Sequence, residues 1–489
     1  MADSGNVMTA WGPRVATGPL AQRWPLPAQR GNTLNAAIGR LLLFALLAFA
    51  LVGTRPFSGT DIDSASSVSD GSLNQIVWLA AILLAVPLIL IRFHLAMAIA
   101  WRAWPLLLVM AWATATAFWS PLPDLTLRRV AVLWLMYAAA LGIAVSDISL
   151  SEFHRVAMLV VGIVMAVDLL GVIGLPGRAI NSEGQFVGMH DHKNTAGQAA
   201  VMAALCWYFF AGRYGWGLNR LCILGGSAFF YLLILASGSK TGSALALLVM
   251  IWCTAWAILA RKGAAVGMIW WTGLGFALLI TTVALIVSGV TATDVGMALF
   301  GDLTFTGRWQ LWEVIWDQIA QHYWLGYGFG AFWDVNGVDN SLGLAKSVGW
   351  LGVVGQAHNG YLDLFLQIGL IGLGLALLSL VWSLRLAHKL LRLTPEHPFD
   401  RSSRAFAYAM ILSIALYNLL ESSYLRPHHL QAIWLFLALP IMQRELLEGR
   451  AAAAVRAASA ARVAGKAVSR KPAARHGPLP LEARREPFL

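Results

Sequence analysis

Long apolar segments recur along the whole chain, and they constrain its fold more than any other feature. Each runs for roughly 17 to 25 residues, the length that a helix needs to cross the hydrocarbon core of a bilayer. Hydrophobic residues make up 58% of the 489 residues, and charged residues only 12%. We predict an all-α, polytopic membrane helical bundle of about 12 transmembrane helices, at 34–52, 75–92, 100–119, 129–146, 155–174, 195–212, 220–236, 241–260, 265–289, 360–383, 404–420 and 428–443.

The charged residues between these segments separate by sign. Lysine and arginine collect in both tails and in alternate loops, for example at Arg261 and Lys262 and in the link from Arg385 to Arg404. Acidic residues collect in the opposite loops. Because cytoplasmic loops carry the excess of lysine and arginine, we expect both termini to be cytoplasmic. Arg128 and Arg129 do not follow this pattern, because they stand in an outward-facing stretch.

The net charge and the cysteines exclude several classes of function. The formal net charge of +11 follows from the loop bias and from a basic C-terminal tail, which would lie near anionic membrane lipids. Basic residues are not interleaved with exposed aromatic residues, so nucleic-acid binding is a poor alternative. Cys206, Cys222 and Cys253 fall inside predicted spans and form no CxxC pattern. We therefore expect them to serve in packing rather than in disulfides or metal binding.

The spans divide the chain into five regions. We expect a cytoplasmic N-terminal tail at 1–33, transmembrane helices 1 to 9 at 34–289, a long outward loop at 290–357, transmembrane helices 10 to 12 at 358–443 and a basic cytoplasmic C-terminal tail at 444–489. Loops longer than roughly 15 residues are usually functional or disordered. The outward loop is the longest of the connections, so it is the first place to look for a site.

The outward loop contains an amphipathic pattern. In "RWQLWEVIWDQIA", one helical face carries Trp309, Trp312, Ile315, Trp316 and Ile319. Its tryptophan content favours a helix that lies at the membrane interface or caps the bundle. The glycines of the following "GYGFGAFW" predict a tight turn where the backbone closely approaches another group.

Polar and ionisable residues occur at the outward ends of several spans. Such groups are unfavourable at membrane depth unless they are paired or hydrated, so those that face a bundle are functional candidates. The candidates are His192, Lys193 and Asn194 at the start of the sixth span, Lys240 between the seventh and eighth, Arg308 at the start of the amphipathic helix, His358, Asn359 and Asp363 in the tenth span, and Glu421 beyond the eleventh.

These residue types suit a cleft that binds an anionic group and removes a proton. Arginine offers a bidentate fork and lysine a point charge to a pyrophosphate, which assigns Arg308 and Lys240 to that role. Histidine titrates near neutrality, so His358 could accept the proton of an attacking hydroxyl. Asn359 and Asp363 lie four residues apart and would line the cleft together with Gln367. The outward loops show no metal-ligand spacing, so we expect no metal and no other cofactor.

Each of these residues also has a structural interpretation. Lys240 at a membrane border is typical of a side chain that extends to the interface as an anchor. Arg308 at the start of an interfacial helix is typical of a phospholipid contact, and His192 and Lys193 are typical of a span boundary. Glu421 is equally consistent with a charge at a helix end. The combination of these residues on one side of the membrane favours the functional interpretation.

The motifs, in this order, resemble the O-antigen ligase and polymerase family of bacterial envelope polysaccharide assembly. The resemblance extends from about residue 180 to about residue 425 and is carried by "HDHKNTAG", "SGSKTGSALAL", "TGRWQLWEVIWDQIAQHYWLGYGFGAFW", "AHNGYLDLFLQIGLIGL" and "ESSYL". The forms "HKNTAG" and "SGSKTG" are most similar to exopolysaccharide polymerases of the succinoglycan type. The resemblance implies a GT-C-like helical bundle in the bacterial inner membrane, with its active site on the periplasmic face.

The resemblance also implies a chemistry. Such enzymes transfer a glycan from undecaprenyl pyrophosphate to an acceptor hydroxyl without a metal. Arg308 matches the loop arginine that holds the pyrophosphate, and His358 matches the catalytic histidine. Lys240 stands where many members have arginine. A single contact from the lysine ammonium group would therefore replace the bidentate contact of an arginine guanidinium group there. Gln367 stands where many members have glutamate, which puts an acid role at that position in doubt.

Several alternatives remain open at this stage. A polymerase would use another lipid-linked repeat as acceptor, whereas an O-antigen ligase would use lipid A core or a protein side chain; the subgroup likeness favours the polymerase. A lipid-linked sugar transporter would show similar halves and charges near the bilayer midplane, but this chain has neither. A structural partner of an export complex would tolerate the loss of Arg308 and His358. The expected partners are the lipid-linked glycan, the polysaccharide acceptor, membrane lipids, and chain-length and export proteins.

Overall fold

A computed structural model of the chain describes the residues 33–54, 56–57, 71–190, 192–259, 308–333, 355–393 and 398–469, together with the single positions 262, 266 and 280. The described residues are helical apart from turns and one isolated bridge between Ile180 and Phe186. Residues 30–446 form one compact unit, and Met1–Gln29 with Leu447–Leu489 are assigned to a second. The prediction of an all-α protein is confirmed for the described residues.

We number the described α-helices in chain order. They are α1 (Thr33–Val52), α2 (Gly71–Ile91), α3 (Phe93–Arg102), α4 (Trp104–Ala115), α5 (Pro123–Val145), α6 (Leu150–Gly174), α7 (Pro176–Ala179), α8 (Lys193–Ala211), α9 (Leu218–Ala236), α10 (Lys240–Leu259), α11 (Arg308–Gln321), α12 (Gly360–Arg392), α13 (Pro398–Tyr417) and α14 (Leu430–Ser469). A short 3₁₀ turn at Thr116–Phe118 follows α4.

Eight of these helices are long and apolar enough to cross a membrane, and a ninth span results if the pair α3 and α4 is counted as one. The membrane character of the chain is therefore confirmed, whereas the number of about 12 spans stays a prediction. The predicted ninth span at 265–289 lies outside the described residues. The helix α14 continues past the predicted end of the last span at 443 as far as Ser469.

The predicted third span differs most from expectation. The sequence favoured one helix at 100–119, but the structure contains two helices that meet at Ala103 with a bend of 80°. Pro105 stands in the first turn of α4, where a proline is favourable because its missing N–H has no helical partner. In a continuous helix the N–H of residue 105 would donate to Trp101 O, but proline has no N–H and its ring clashes with that carbonyl, which explains why a continuous helix does not pass through this point.

Two helices that lack a strongly apolar sequence, α8 and α13, occupy the middle of the bundle. Fourteen of the 19 residues of α8 are buried, and seven of these fourteen are alanine or glycine. It packs against α6, α9, α10 and α13. Small side chains allow the backbones of neighbouring helices to approach closely inside a membrane bundle. A helix enclosed in this way can carry polar residues at its end, and α8 begins at the candidate residues His192, Lys193 and Asn194.

The predicted tenth span is a helix with a break. Gly369 in α12 has a φ of 67° and a ψ of −177°, which interrupts the helical backbone. The turn after α11 fills this break: Tyr327 N donates to Leu366 O, Gly328 N to Gln367 O, and Leu370 N to Tyr323 O. Irregular backbone is tolerated at membrane depth only where protein or water satisfies its polar groups. The turn therefore completes α12 and fixes the loop segment against it.

The amphipathic helix α11 is present at the predicted position, but its buried face differs from expectation. Leu311, Ile315 and Ile319 are the buried residues of its packing face, and they form one core cluster with Phe365 and Leu366 of α12. Trp316 is about half exposed, at 50%. Thus aliphatic residues attach this helix to the bundle, and part of its tryptophan face stays open for lipid.

Replacing Gly369 with alanine is expected to destabilise the protein strongly. A Cβ at this position would lie 2.2 Å from Trp324 O and would stand on a backbone with positive φ. Steric displacement and backbone strain together should cost at least about 2 kcal/mol. The matched control is Gly374→Ala in the same helix, because a Cβ there meets nothing within 4 Å. Thermal unfolding in detergent should show a large loss of stability for Gly369→Ala only. Equal stability of Gly369→Ala and Gly374→Ala would contradict the proposed packing.

Candidate functional site

The carboxylate of Glu421 connects three of the predicted site residues. Its Oε1 accepts hydrogen bonds from Arg308 Nη2 at 2.7 Å and from Asn194 Nδ2 at 2.9 Å. Its Oε2 lies 3.0 Å from His358 Nδ1. The four residues come from α8, α11, the turn before α12 and the turn after α13. The sequence reasoning named all four separately, and the structure brings them into one cluster.

Burial and charge act against each other at Glu421. The Glu421 side chain is 6% exposed, so burial by itself raises the pKa of its carboxyl group. The hydrogen bond from His358 and the charges of His358, Arg308 and His192 outweigh burial, and the pKa lies below its usual range. Glu421 is therefore a carboxylate at neutral pH.

The charge state of Glu421 determines which ring nitrogen of His358 is protonated. A carboxylate can only accept hydrogen bonds, so His358 Nδ1 must be the donor. In the neutral imidazole the other nitrogen, Nε2, then carries the free lone pair. This is the arrangement by which a carboxylate orients a histidine that acts as a base.

The backbone at His358 is unusual. Its φ of 48° lies in the left-handed region, which is rare for residues with a side chain. Two contacts of the surrounding turn hold this conformation: Trp312 Nε1 donates to Ala357 O at 2.9 Å, and Gly360 N donates to Asn418 O at 2.8 Å. Strained residues that the neighbouring structure holds in place occur mainly at functional sites.

A large cavity opens beside this cluster. Its volume is about 780 Å³, and its lining includes His192, Asn194, His358, Asp363 and Glu421. The cavity is large enough for a drug-sized or oligosaccharide ligand. Its described lining residues do not include Arg308, which contacts Glu421 and is 16% exposed.

Several buried polar atoms of the lining have no hydrogen-bond partner among the described residues. They are Asn74 Oδ1, His190 Nε2, Gln198 Oε1 and Ser422 Oγ. His190 Nε2 lies 3.6 Å from Asp168 Oδ2, too far for a hydrogen bond. Buried polar groups are rarely left without partners. The residues that carry these atoms give this part of the cavity wall a polar character.

The remaining predicted residues have other positions. Lys193 Nζ forms an ion pair with Glu183 Oε2 at 3.0 Å on the exposed side of α8. Lys240 is exposed at the first position of α10 and, like Lys193, is not one of the described lining residues of the cavity. His192 caps α8, because its Nδ1 accepts from Asn194 N at 3.1 Å. The functional roles of these residues stay predictions.

The polar residues Asn359, Asp363 and Gln367, at the start of α12, mainly hold the surrounding backbone and the turn after α11. Asn359 Oδ1 accepts from Tyr361 N and Leu362 N and therefore caps α12. Asp363 accepts from Trp333 Nε1, and Gln367 Oε1 accepts from Gly330 N at 2.7 Å. Asp363 and Gln367 also line the cavity, whereas Asn359 is not among its described lining residues.

The sequence reasoning missed three cavity residues of positive charge, namely Arg128, Arg129 and Arg426. A signal for two of them was present, because Arg128 and Arg129 interrupt the charge pattern of the outward loops. Arg426 follows the "ESSYL" motif directly and had no separate signal. Their common position could not be found without the fold, since they lie about 300 residues apart in sequence.

Comparison with known proteins identifies part of the chain. Residues 225–377 match a family model described as O-Antigen ligase. The matched range contains Lys240, Arg308 and His358, whereas Asn194 and Glu421 lie outside it. No curated protein matches the sequence. The match supports the predicted resemblance to the O-antigen ligase and polymerase family over residues 225–377.

Proposed function

We propose that this protein is a GT-C-like membrane glycosyltransferase that polymerises undecaprenyl-pyrophosphate-linked oligosaccharide repeats. It would work without a metal at the periplasmic face of the bacterial inner membrane and would make exopolysaccharide or O-antigen for the cell envelope. The observation that supports this function most directly is the contact of Glu421 with both His358 and Arg308 at a cavity of about 780 Å³. One carboxylate thus contacts both the proposed base, His358, and the cation Arg308.

The proposed reaction is a displacement with inversion at the anomeric carbon of the donor. The oxygen of the acceptor hydroxyl forms the new bond to this carbon, and its proton moves to Nε2 of His358. The bond from the carbon to the pyrophosphate oxygen breaks, and its electron pair leaves on that oxygen. Arg308 and Lys240 would stabilise the charge of the departing lipid pyrophosphate. Glu421 acts as a positioning residue, because it orients His358 and Arg308.

The unpartnered polar atoms of the cavity support a carbohydrate substrate. Gln198 lies one helical turn after Asn194 on the same face of α8, and Ser422 follows Glu421 directly. Both residues belong to the cavity lining, and in the proposed reaction they would bind hydroxyl groups of the sugar that is transferred. A transporter would need no base with an orienting carboxylate at this place.

The second candidate function is an O-antigen ligase, which uses the same donor and a different acceptor. The family match supports it equally, because the matched model is described as O-Antigen ligase. The two functions differ in what a deletion strain accumulates: single repeats on the lipid carrier indicate a polymerase, and long lipid-linked chains indicate a ligase.

Purified protein supplied with a lipid-linked repeat is expected to extend it into longer chains. The rate should be the same with and without a chelator, because protein cations replace a divalent metal in the proposed reaction. Chain length on a gel measures the result. Loss of activity on chelation, restored by a divalent ion, would contradict the metal-independent mechanism; absence of any chain growth together with transfer to lipid A core would establish the ligase instead.

A further inference from the structure

Three arginines line the cavity, and the reaction proposed above does not use them. Arg128 and Arg129 belong to the second turn of α5, and Arg426 lies in the turn between α13 and α14. Arg128 and Arg129 stand near the end of α5 that the charge pattern of the loops predicts to face outward, and the outward side of a membrane protein usually carries few lysines and arginines. Two adjacent arginines at such a place therefore suggest a specific anionic ligand.

The glycine-rich turn is shaped around Arg129. Gly330 has a φ of 73°, and a Cβ at this position would lie 2.3 Å from Arg129 Cδ. Any larger residue at 330 would displace the arginine stem. The turn itself is fixed, because Gly330 N donates to Gln367 Oε1 and Phe329 N donates to Thr116 Oγ1 at 2.9 Å. The fold thus holds Arg129 in a defined place against the cavity wall.

Arg426 has a comparable setting. It donates a hydrogen bond from Nη1 to Gln356 Oε1, two residues before His358. Burial lowers the pKa of His429 to about 3, and the charge of Arg426 lowers it too. Burial likewise lowers the pKa of His428 to about 4, with a further contribution from the charge of Arg129. Both histidines are neutral at physiological pH, so they place no additional positive charge between the two arginines.

The balance of charge on the wall favours an anion. The carboxylates among the described lining residues are Asp363 and Glu421, and both have other partners. Glu421 binds Arg308, Asn194 and His358, and Asp363 binds Trp333. Among the described lining residues, three arginines outnumber two carboxylates, so the sum of these charges is positive, inside a cavity where a charge interacts more strongly than in bulk water.

We propose that Arg128, Arg129 and Arg426 form a second anion subsite, which binds the lipid pyrophosphate of the acceptor repeat while Arg308 holds that of the donor. This inference rests on the proposed polymerase function. Chain growth requires two lipid pyrophosphates at the same time: one leaves with the donor lipid, and the other stays attached to the growing chain. Three arginines in the cavity wall, together with Arg308, which contacts the lining residue Glu421, would meet this requirement.

Equilibrium binding of undecaprenyl pyrophosphate without a sugar tests the subsite independently of the chemistry. We expect the purified full chain in lipid nanodiscs to bind two labelled molecules, and the double variant Arg129→Gln with Arg426→Gln to bind one. Arg308→Gln should also bind one. Arg102→Gln is the matched control, because Arg102 is exposed on α3 and bonds to Ala98 O. A single site in the unmodified protein, or two sites in the double variant, would overturn the proposal.

A transfer assay then identifies the substrate that occupies the subsite. In this assay the donor repeat lacks the hydroxyl group that would let it act as an acceptor. The acceptor repeat carries either a non-cleavable lipid bisphosphonate or an uncharged lipid linkage. In the double variant we expect the KM of the bisphosphonate acceptor to rise roughly tenfold or more, with the donor KM unchanged. A rise in the donor KM alone would refute the proposed subsite. The same holds if the acceptor KM depends on acidic groups of the glycan and not on the bisphosphonate. If His358→Ala kept full activity while two molecules still bound, the proposed function would fail and the subsite would stand.

Discussion

The variant His358→Ala is expected to lose chain growth by at least about a hundredfold, because a positioned general base contributes roughly 10²–10⁴-fold. The contacts of His358 are the reason for proposing this residue as the base. Its Nδ1 donates to the Glu421 carboxylate, so its Nε2 is left to accept the proton of the acceptor hydroxyl. Polymer length and amount, measured in cells and with purified protein, check the result against the level of the protein in the membrane.

His94→Ala is the matched control for this experiment. His94 is exposed on α3 and is not among the described residues that line the cavity. We expect this variant to make polymer of normal length. Binding of undecaprenyl pyrophosphate should survive in His358→Ala, since the base does not hold the donor lipid. Full-length polymer from a normally expressed His358→Ala protein would show that another group removes the proton.

The sequence identified the residues that meet in this cluster, but it did not predict how they are arranged. His358, Arg308, Asn194 and Glu421 were recognisable because polar residues at membrane depth are unfavourable without a reason. Their meeting at one carboxylate was not predictable, since it depends on four separate elements. Glu421 was only one candidate among the outward polar residues, and its contacts support a role in orienting His358 and Arg308.

The helical class followed directly from the apolar segments, but the breaks in the helices did not. Gly369 reads as a packing glycine inside an apolar helix, and only the turn from Tyr323 to Gly328 explains why the helix is interrupted there. The spacing of apolar residues predicts only the local secondary structure. This break in the helix is stabilised by hydrogen bonds from a segment some 40 residues earlier in the chain. The cavity arginines are a similar case, because their function depends on neighbours that are distant in sequence.

Removing either partner of the buried ion pair between Arg308 and Glu421 is expected to destabilise the protein by about 3 to 5 kcal/mol, because the remaining charge loses its partner. Arg308→Ala leaves a nearly buried carboxylate with His358 and Asn194 as its hydrogen-bond partners. The pKa of Glu421 is lower in the folded protein than in the unfolded chain. Its contribution to stability is therefore complete above the ordinary carboxyl pKa and is lost as the pH falls through the lowered value.

The double variant Arg308→Ala with Glu421→Ala should be less unstable than the sum of the single variants, by roughly 1 to 3 kcal/mol, since no buried charge of the pair remains. Thermal unfolding of the four proteins in detergent at neutral pH measures this coupling. The exposed pair Lys193 and Glu183 is the matched control, with side-chain exposures of 29% and 63%. Its coupling should be about 0 to 1 kcal/mol. Additive losses at Arg308 and Glu421 would mean that the two side chains do not form a pair in the folded protein, and the orientation of His358 by a shared carboxylate would then lose its structural basis.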